Sequence, residues 1–148
     1  MNLHKPLSLY VDPAWRRSGI HTPLLIPWWG NVIDKASIFA RQMFDSYAFD
    51  TTVYAITDDI GKADMVLAPY RHNWMRSFDP ELLTICARTA REAGLPLLLD
   101  GVGDIEYPVD IENSYILRFG GYHFLPERGR IMVPPFTDDL LERCRGGQ

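Results

Sequence analysis

The polar, aromatic and glycine residues that could serve a small polar ligand gather in short segments. These are Asp12 after Leu7 to Val11, Tyr70 to Trp74 (YRHNW), Asp100 to Asp104 (DGVGD) and Gly120 to His123 (GGYH). A carboxylate there can act as general base on a hydroxyl, and arginine and histidine can hold anionic groups. Tryptophan or tyrosine faces suit the apolar face of a sugar ring. Asp104 is the candidate base, because Asp100 directly ends an apolar run and is expected to be tied to backbone amides. Asp and Gly are also the commonest turn residues, and the turn-cap reading of both acids stands ahead of the catalytic one. His72 and Trp74 read either as ligand contacts or as rim packing. Arg118 lies inside the apolar run YILRF, where a guanidinium calls for a carboxylate partner or an anionic ligand. Tyr122 completes the candidate set.

Several common chemistries are excluded by motif. Gly101 to Asp104 lacks the third glycine and following helix of a dinucleotide fingerprint, and the chain has no G-x-x-x-x-G-K-[ST], G-x-S-x-G or H-E-x-x-H. Its two cysteines, Cys86 and Cys144, form no C-x-x-C pair, so neither a structural zinc site nor a secreted disulfide framework is expected, and the default compartment is cytosolic. The formal charge of -4 argues against a nucleic-acid module, which usually carries a basic excess. No stretch approaches the ~20 apolar residues of a transmembrane helix.

The elements that must position these residues follow from pattern. With 148 residues and 47% hydrophobic composition, the chain matches one compact domain, 1–148. Leu7 to Val11 alternates as a strand, and Asp12-Pro13 stops it. The segment from Asp12 to Asn31, with Pro23, Pro27 and Trp28-Trp29, is too long for an ordinary connection, and reads either as a partner-binding loop or as one folded back on its own core. Ile33, Ala36, Ala40, Met43 and Phe44 predict a helix from Val32 to about Asp45. Thr51 to Ile56 predicts a strand, and Ala63 to Ala68 another, closed by Pro69.

Asp79-Pro80-Glu81 predicts an N-cap, a first-turn proline and a first-turn acid, and Gly94 the helix stop. Leu82, Leu83, Cys86, Ala87, Ala90 and Ala93 form its apolar stripe, with Arg88 and Arg91 toward solvent. Leu95 to Leu99 is apolar on both faces, as a central parallel strand requires. Tyr115 to Phe119 and Ile131 to Val133 predict further strands, and Thr137 opens a final helix reaching Cys144. The alternation implies an α/β, Rossmann-like fold with a mostly parallel sheet and helices on both faces. Ligands in such sheets lie at the carboxyl ends of the strands.

Asp58 to Pro69 (DDIGKADMVLAP), His72 to Trp74, Leu95 to Asp104 (LPLLLDGVGD), Tyr115 to Tyr122 (YILRFGGY) and Met132 to Leu141 (MVPPFTDDLL), in that order, resemble the amino-terminal half of bacterial exostosin-like glycosyltransferases. The resemblance covers about two thirds of the chain, from Asp58 onward. It implies a twin-Rossmann transferase whose first domain binds a glycan or other hydroxyl acceptor. Its own C-terminal domain binds the nucleotide-sugar donor, so no cofactor is expected in this chain. Two ordinary domains need roughly 300 residues, so the chain is expected to be the acceptor-side half, and Leu140 to Gln148 resembles the link into the other.

By position in that resemblance, Asp104, Arg118 and His72 face the inter-domain cleft. Asp104 takes acceptor binding, or general base if the enzyme inverts. The rivals are a stand-alone α/β binding module of receiver or flavodoxin type and an interaction domain using Trp28-Trp29. A receiver wants an acidic cluster after its first strand, where this chain has Asp12-Pro13-Ala14.

Overall fold

A computed structural model describes residues 5–30, 51–101, 107–118 and 129–132. The six strands are β1 (Leu7–Tyr10), β2 (Tyr54–Thr57), β3 (Met65–Arg71), β4 (Leu97–Asp100), β5 (Ser114–Arg118) and β6 (Arg130–Met132). They form one sheet in the order β2-β1-β3-β4-β5-β6, with every pair parallel. The α/β, Rossmann-like fold expected from the alternating pattern is therefore present. Its strand order turns back between β1 and β3, so that pair is the topological switch point.

The apolar run Leu95 to Leu99 sits near the middle of the sheet as β4, which starts two residues later and ends one later, and all four residues from Leu97 to Asp100 are buried. Leu9 lies opposite Met65 and Leu67 opposite Leu98 across adjacent strands, and Leu9, Leu67 and Leu98 all belong to the core. Each fully buried leucine is worth roughly 1.5–3 kcal/mol relative to an exposed one, so a central strand without polar interruption carries much of the driving force.

Helix α3 (Pro80–Ala93) forms as its sequence signals require. Asp79 Oδ1 accepts from Leu82 N at 3.1 Å, and Gly94 ends the helix at φ 67°, a left-handed conformation costly for a side chain. Leu82, Cys86 and Ala90 form the buried line of the predicted stripe, while Ala93 is exposed with Arg88 and Arg91. This helix packs on β3 and β4.

Strand β3 departs from its sequence expectation. Pro69 does not close it; the strand runs on to Arg71, with a register irregularity between Leu67 and Arg71. Proline's missing N–H is tolerated where a ladder is already broken. Its carbonyl still accepts from Thr22 N at 2.8 Å. The chain then turns directly into α2 (His72–Phe78), a helix not expected from the sequence pattern.

The long connection after β1 folds back on the domain. Asp12 caps a 3-10 turn at Pro13–Trp15, burying Trp15, and a second turn at Pro23–Leu25 leads into the short helix α1 (Ile26–Trp29). Leu25 is fully buried, and Trp29 packs against the core. The predicted helices at Val32 to Asp45 and from Thr137 lie outside the described residues.

Candidate functional site

Because all strands run parallel, their carboxyl ends share one edge. Arg71, Asp100 and Arg118 end β3, β4 and β5, Asp12 stands two residues beyond β1, and His72 opens α2 directly after Arg71. In register, Arg71 is opposite Asp100 and Asp100 is opposite Leu117, so segments separated by nearly fifty positions in sequence meet at this edge.

Arg118 is the best-defined member. It is 2% exposed, and its guanidinium donates to Gly101 O at 3.4 Å and Tyr107 O at 2.9 Å. Backbone carbonyls thus stand among its acceptors, an option beyond the carboxylate or anion that the sequence suggested. The Arg76 guanidinium from α2 lies 4.3 Å from the Tyr107 ring centroid. Two arginines therefore hold the same residue, one by its carbonyl and one by its ring. Gly101 permits the arrangement: a Cβ there would stand 2.6 Å from Ile116 Cγ1 and 2.9 Å from Leu117 O, the carbonyl that already accepts from Gly101 N. Only a residue without a side chain lets the chain leave β4 so close to β5.

Asp12 lies at the far side of the switch point, engaged in its own turn. Oδ1 accepts from Ala14 N at 2.8 Å, and Oδ2 accepts from Tyr10 Oη at 3.4 Å. Burial, then the Asp12 charge and hydrogen bond, then the more distant Asp58 charge, push the Tyr10 phenol above its usual range. These neighbours make the β1–β2 end acidic, in contrast to the arginines at β3 and β5.

Trp74 stacks between Tyr70, at 4.9 Å, and Phe78, at 6.1 Å, and Gly19 lies against its ring. This is the packing alternative weighed for it from sequence. His72 is buried, 3% exposed, and Asp100 is 2% exposed. The candidate base Asp104, and Tyr122, lie outside the described residues.

The crevice between β1 and β3 is occupied by the chain itself. His21 forms an antiparallel bridge to Tyr70, and Tyr70 Oη donates to Arg17 O at 2.8 Å while accepting from Arg17 N. Meanwhile β4 keeps the other edge of β3 as far as Arg71. The His21 ring joins Thr22 O, 2.9 Å from Nδ1, to Gly30 O, 2.8 Å from Nε2, closing the loop on itself. An Arg17–Asp79 ion pair at 3.3 Å ties the same segment to the cap of α3. Beyond this filled switch point, the carboxyl ends of β3, β4 and β5 carry Arg71, Asp100 and Arg118.

Arg71 falls within the YRHNW segment singled out from sequence, and the structure adds that it is the last residue of β3; Tyr107 carries no motif. Among the described residues, no group of three or more His, Cys, Asp or Glu could hold a metal ion, and no helix is long and apolar enough to cross a membrane. No family model, curated protein or solved structure matches the chain.

Proposed function

We propose that this chain is the acceptor-side domain of an exostosin-like glycosyltransferase, with its acceptor crevice over the carboxyl ends of β3, β4 and β5. One observation carries the reading. The described parts of the motifs behind the family resemblance, Asp58 to Pro69, His72 to Trp74, Leu95 to Gly101, Tyr115 to Arg118 and Met132, fall on β3 and the turn leading into it, on α2 that follows it, and on β4, β5 and β6, which are neighbours in the sheet in that order. Scattered packing motifs would have no reason to converge on the edge where parallel sheets bind ligands.

The reaction is attack by an acceptor hydroxyl on the anomeric carbon of a nucleotide sugar, with the nucleoside diphosphate leaving. In this division of labour the donor belongs to the other domain, and the present chain orients a glycan or other hydroxyl acceptor. Asp104, by its place in the resemblance, is the residue for acceptor binding or proton removal. A cytoplasmic, bacterial setting belongs to the same proposal.

A stand-alone binding module is the second reading, favoured by the β2-β1-β3-β4-β5 order, which flavodoxin and receiver domains also use. Titration with nucleotide sugars separates the two. The acceptor-side reading expects no binding tighter than about millimolar, equivalent to about -4 kcal/mol. It also expects saturable shifts with oligosaccharides at the β3–β5 edge in a nuclear magnetic resonance spectrum. Micromolar binding of a nucleotide sugar overturns the domain assignment.

A further inference from the structure

We propose that Arg71 is an oxyanion-binding residue of the β3–β5 edge, taking a carboxylate or phosphate group of the ligand. The proposal rests on the placement of the crevice argued above, and it adds a charge requirement for what enters.

The argument comes from accounting for the guanidinium groups at this end of the sheet. Arg118 donates to two backbone carbonyls, and Arg76 lies over the Tyr107 ring. Arg71 has neither kind of partner. It is half-buried at the last position of β3, its Nε–H is buried without a hydrogen-bond acceptor, and it belongs to none of the ion pairs among the described residues. The residue opposite in register is Asp100 on β4, and the two form none of the ion pairs among the described residues.

A buried donor without an acceptor costs free energy, and a cation costs more than a neutral group. A side chain this expensive persists where a ligand completes it. The geometry suits an oxyanion. Burial fixes the stem and Nε, which reduces the rotamer entropy lost on binding, and the planar fork offers paired donors to two oxygens of one carboxylate or phosphate. Arg71 pairs in register with Asp100 on β4, whereas His21 and Thr22 bond to the preceding residues Tyr70 and Pro69 at the β1–β3 crevice.

The test titrates the full chain with inorganic phosphate, glucuronate and glucose while following the arginine Nε–Hε resonances. Saturable movement of the Arg71 resonance with either anion, but not with glucose, is expected; phosphate alone assigns a phosphorylated ligand and glucuronate alone a sugar acid. Because lysine retains charge but loses the fork, Arg71→Lys should weaken the anion about tenfold or more, whereas exposed Arg88→Lys should not. Phenylglyoxal labelling of the unaltered chain supplies a measurement independent of variant folding: the anion should protect Arg71 and leave Arg88 reactive. An Arg71 resonance that neither anion moves, or equal affinity in Arg71→Lys, or labelling without protection, overturns the proposal. Glucose binding without anion binding would remove the role of Arg71 and leave the acceptor reading standing. Anion binding together with micromolar nucleotide-sugar binding would do the reverse.

Discussion

Arg118 on β5 donates to Tyr107 O at 2.9 Å, so Tyr107 is held by a side chain eleven residues later in sequence. Because Arg76 covers the Tyr107 ring from α2, the carboxyl edge of β3, β4 and β5 is joined into one unit. A site over this edge inherits its shape from that joint.

Replacing Arg118 with methionine keeps much of the apolar stem and removes the donors. Hydrogen bonds to charged groups contribute about 1.5–3 kcal/mol, and the abandoned carbonyls are partly shielded from water, so a loss of about that size is expected in denaturant unfolding. Tyr107 should also lose amide protection. Unchanged stability would show that the loop holds itself.

Gly101 sets the direction of the chain leaving β4. Gly101→Ala places a Cβ against Ile116 and Leu117 O, and the latter is backbone and cannot step aside without breaking its bond to Gly101 N. Overpacking of this kind typically costs about 1–3 kcal/mol. An accompanying Ile116→Val should recover part of that loss by clearing the side-chain clash while leaving the backbone one. A thermal melt of the single and double variants checks both expectations.

Tyr70→Phe tests the strap over the switch point. It removes both the hydroxyl donor to Arg17 O and the acceptor for Arg17 N, while the ring can still stack on Trp74. Stability should fall modestly, by about 0.5–1.5 kcal/mol per bond, because water can replace the lost partners at exposed Arg17. Trypsin cleavage after Arg16 and Arg17 should accelerate more than global unfolding does, because local opening exposes that backbone first.

The contrast between legible and illegible parts of the fold has a physical basis. Helix α3 was readable because Asp79, Pro80, the apolar stripe and Gly94 all act within a few residues of one another. Strand β4 was readable because continuous apolarity is what burial on two faces demands. Pro69 misled because its effect depends on the partner strand: only the irregularity in the β3–β4 register makes a proline tolerable there. The joint at Tyr107 was illegible for a related reason: Arg118 inside YILRF signals that a partner is needed, but nothing local marks a backbone carbonyl as that partner. At the candidate site, sequence named Arg118, His72 and Asp100 as residents of one edge. Nothing local indicated that Arg71, rather than Arg118, is the arginine whose Nε lacks an acceptor.

Alkaline pH should weaken the domain through Cys86. Burial beneath α3 pushes its thiol from 9.0 up to about 12. Between those values the unfolded chain releases a proton that the folded chain retains. The stabilisation linked to the neutral buried thiol is therefore fully present below pH 9 and is lost progressively as pH rises toward 12. One proton of difference corresponds to about 1.4 kcal/mol per pH unit at most. Tyr54, pushed by burial from 10.0 to about 12, adds a slope of the same sign that begins near its unfolded value. Urea midpoints measured from pH 8 to 11 should fall with pH, and Cys86→Ala should flatten the fall while lowering stability at pH 8 by the cost of the vacated space. The difference between the two chains isolates the thiol, because Tyr54 and the other titrating groups are common to both. An unchanged slope in Cys86→Ala, with the fold intact, would mean that the thiol reaches water readily enough to ionise in the native state.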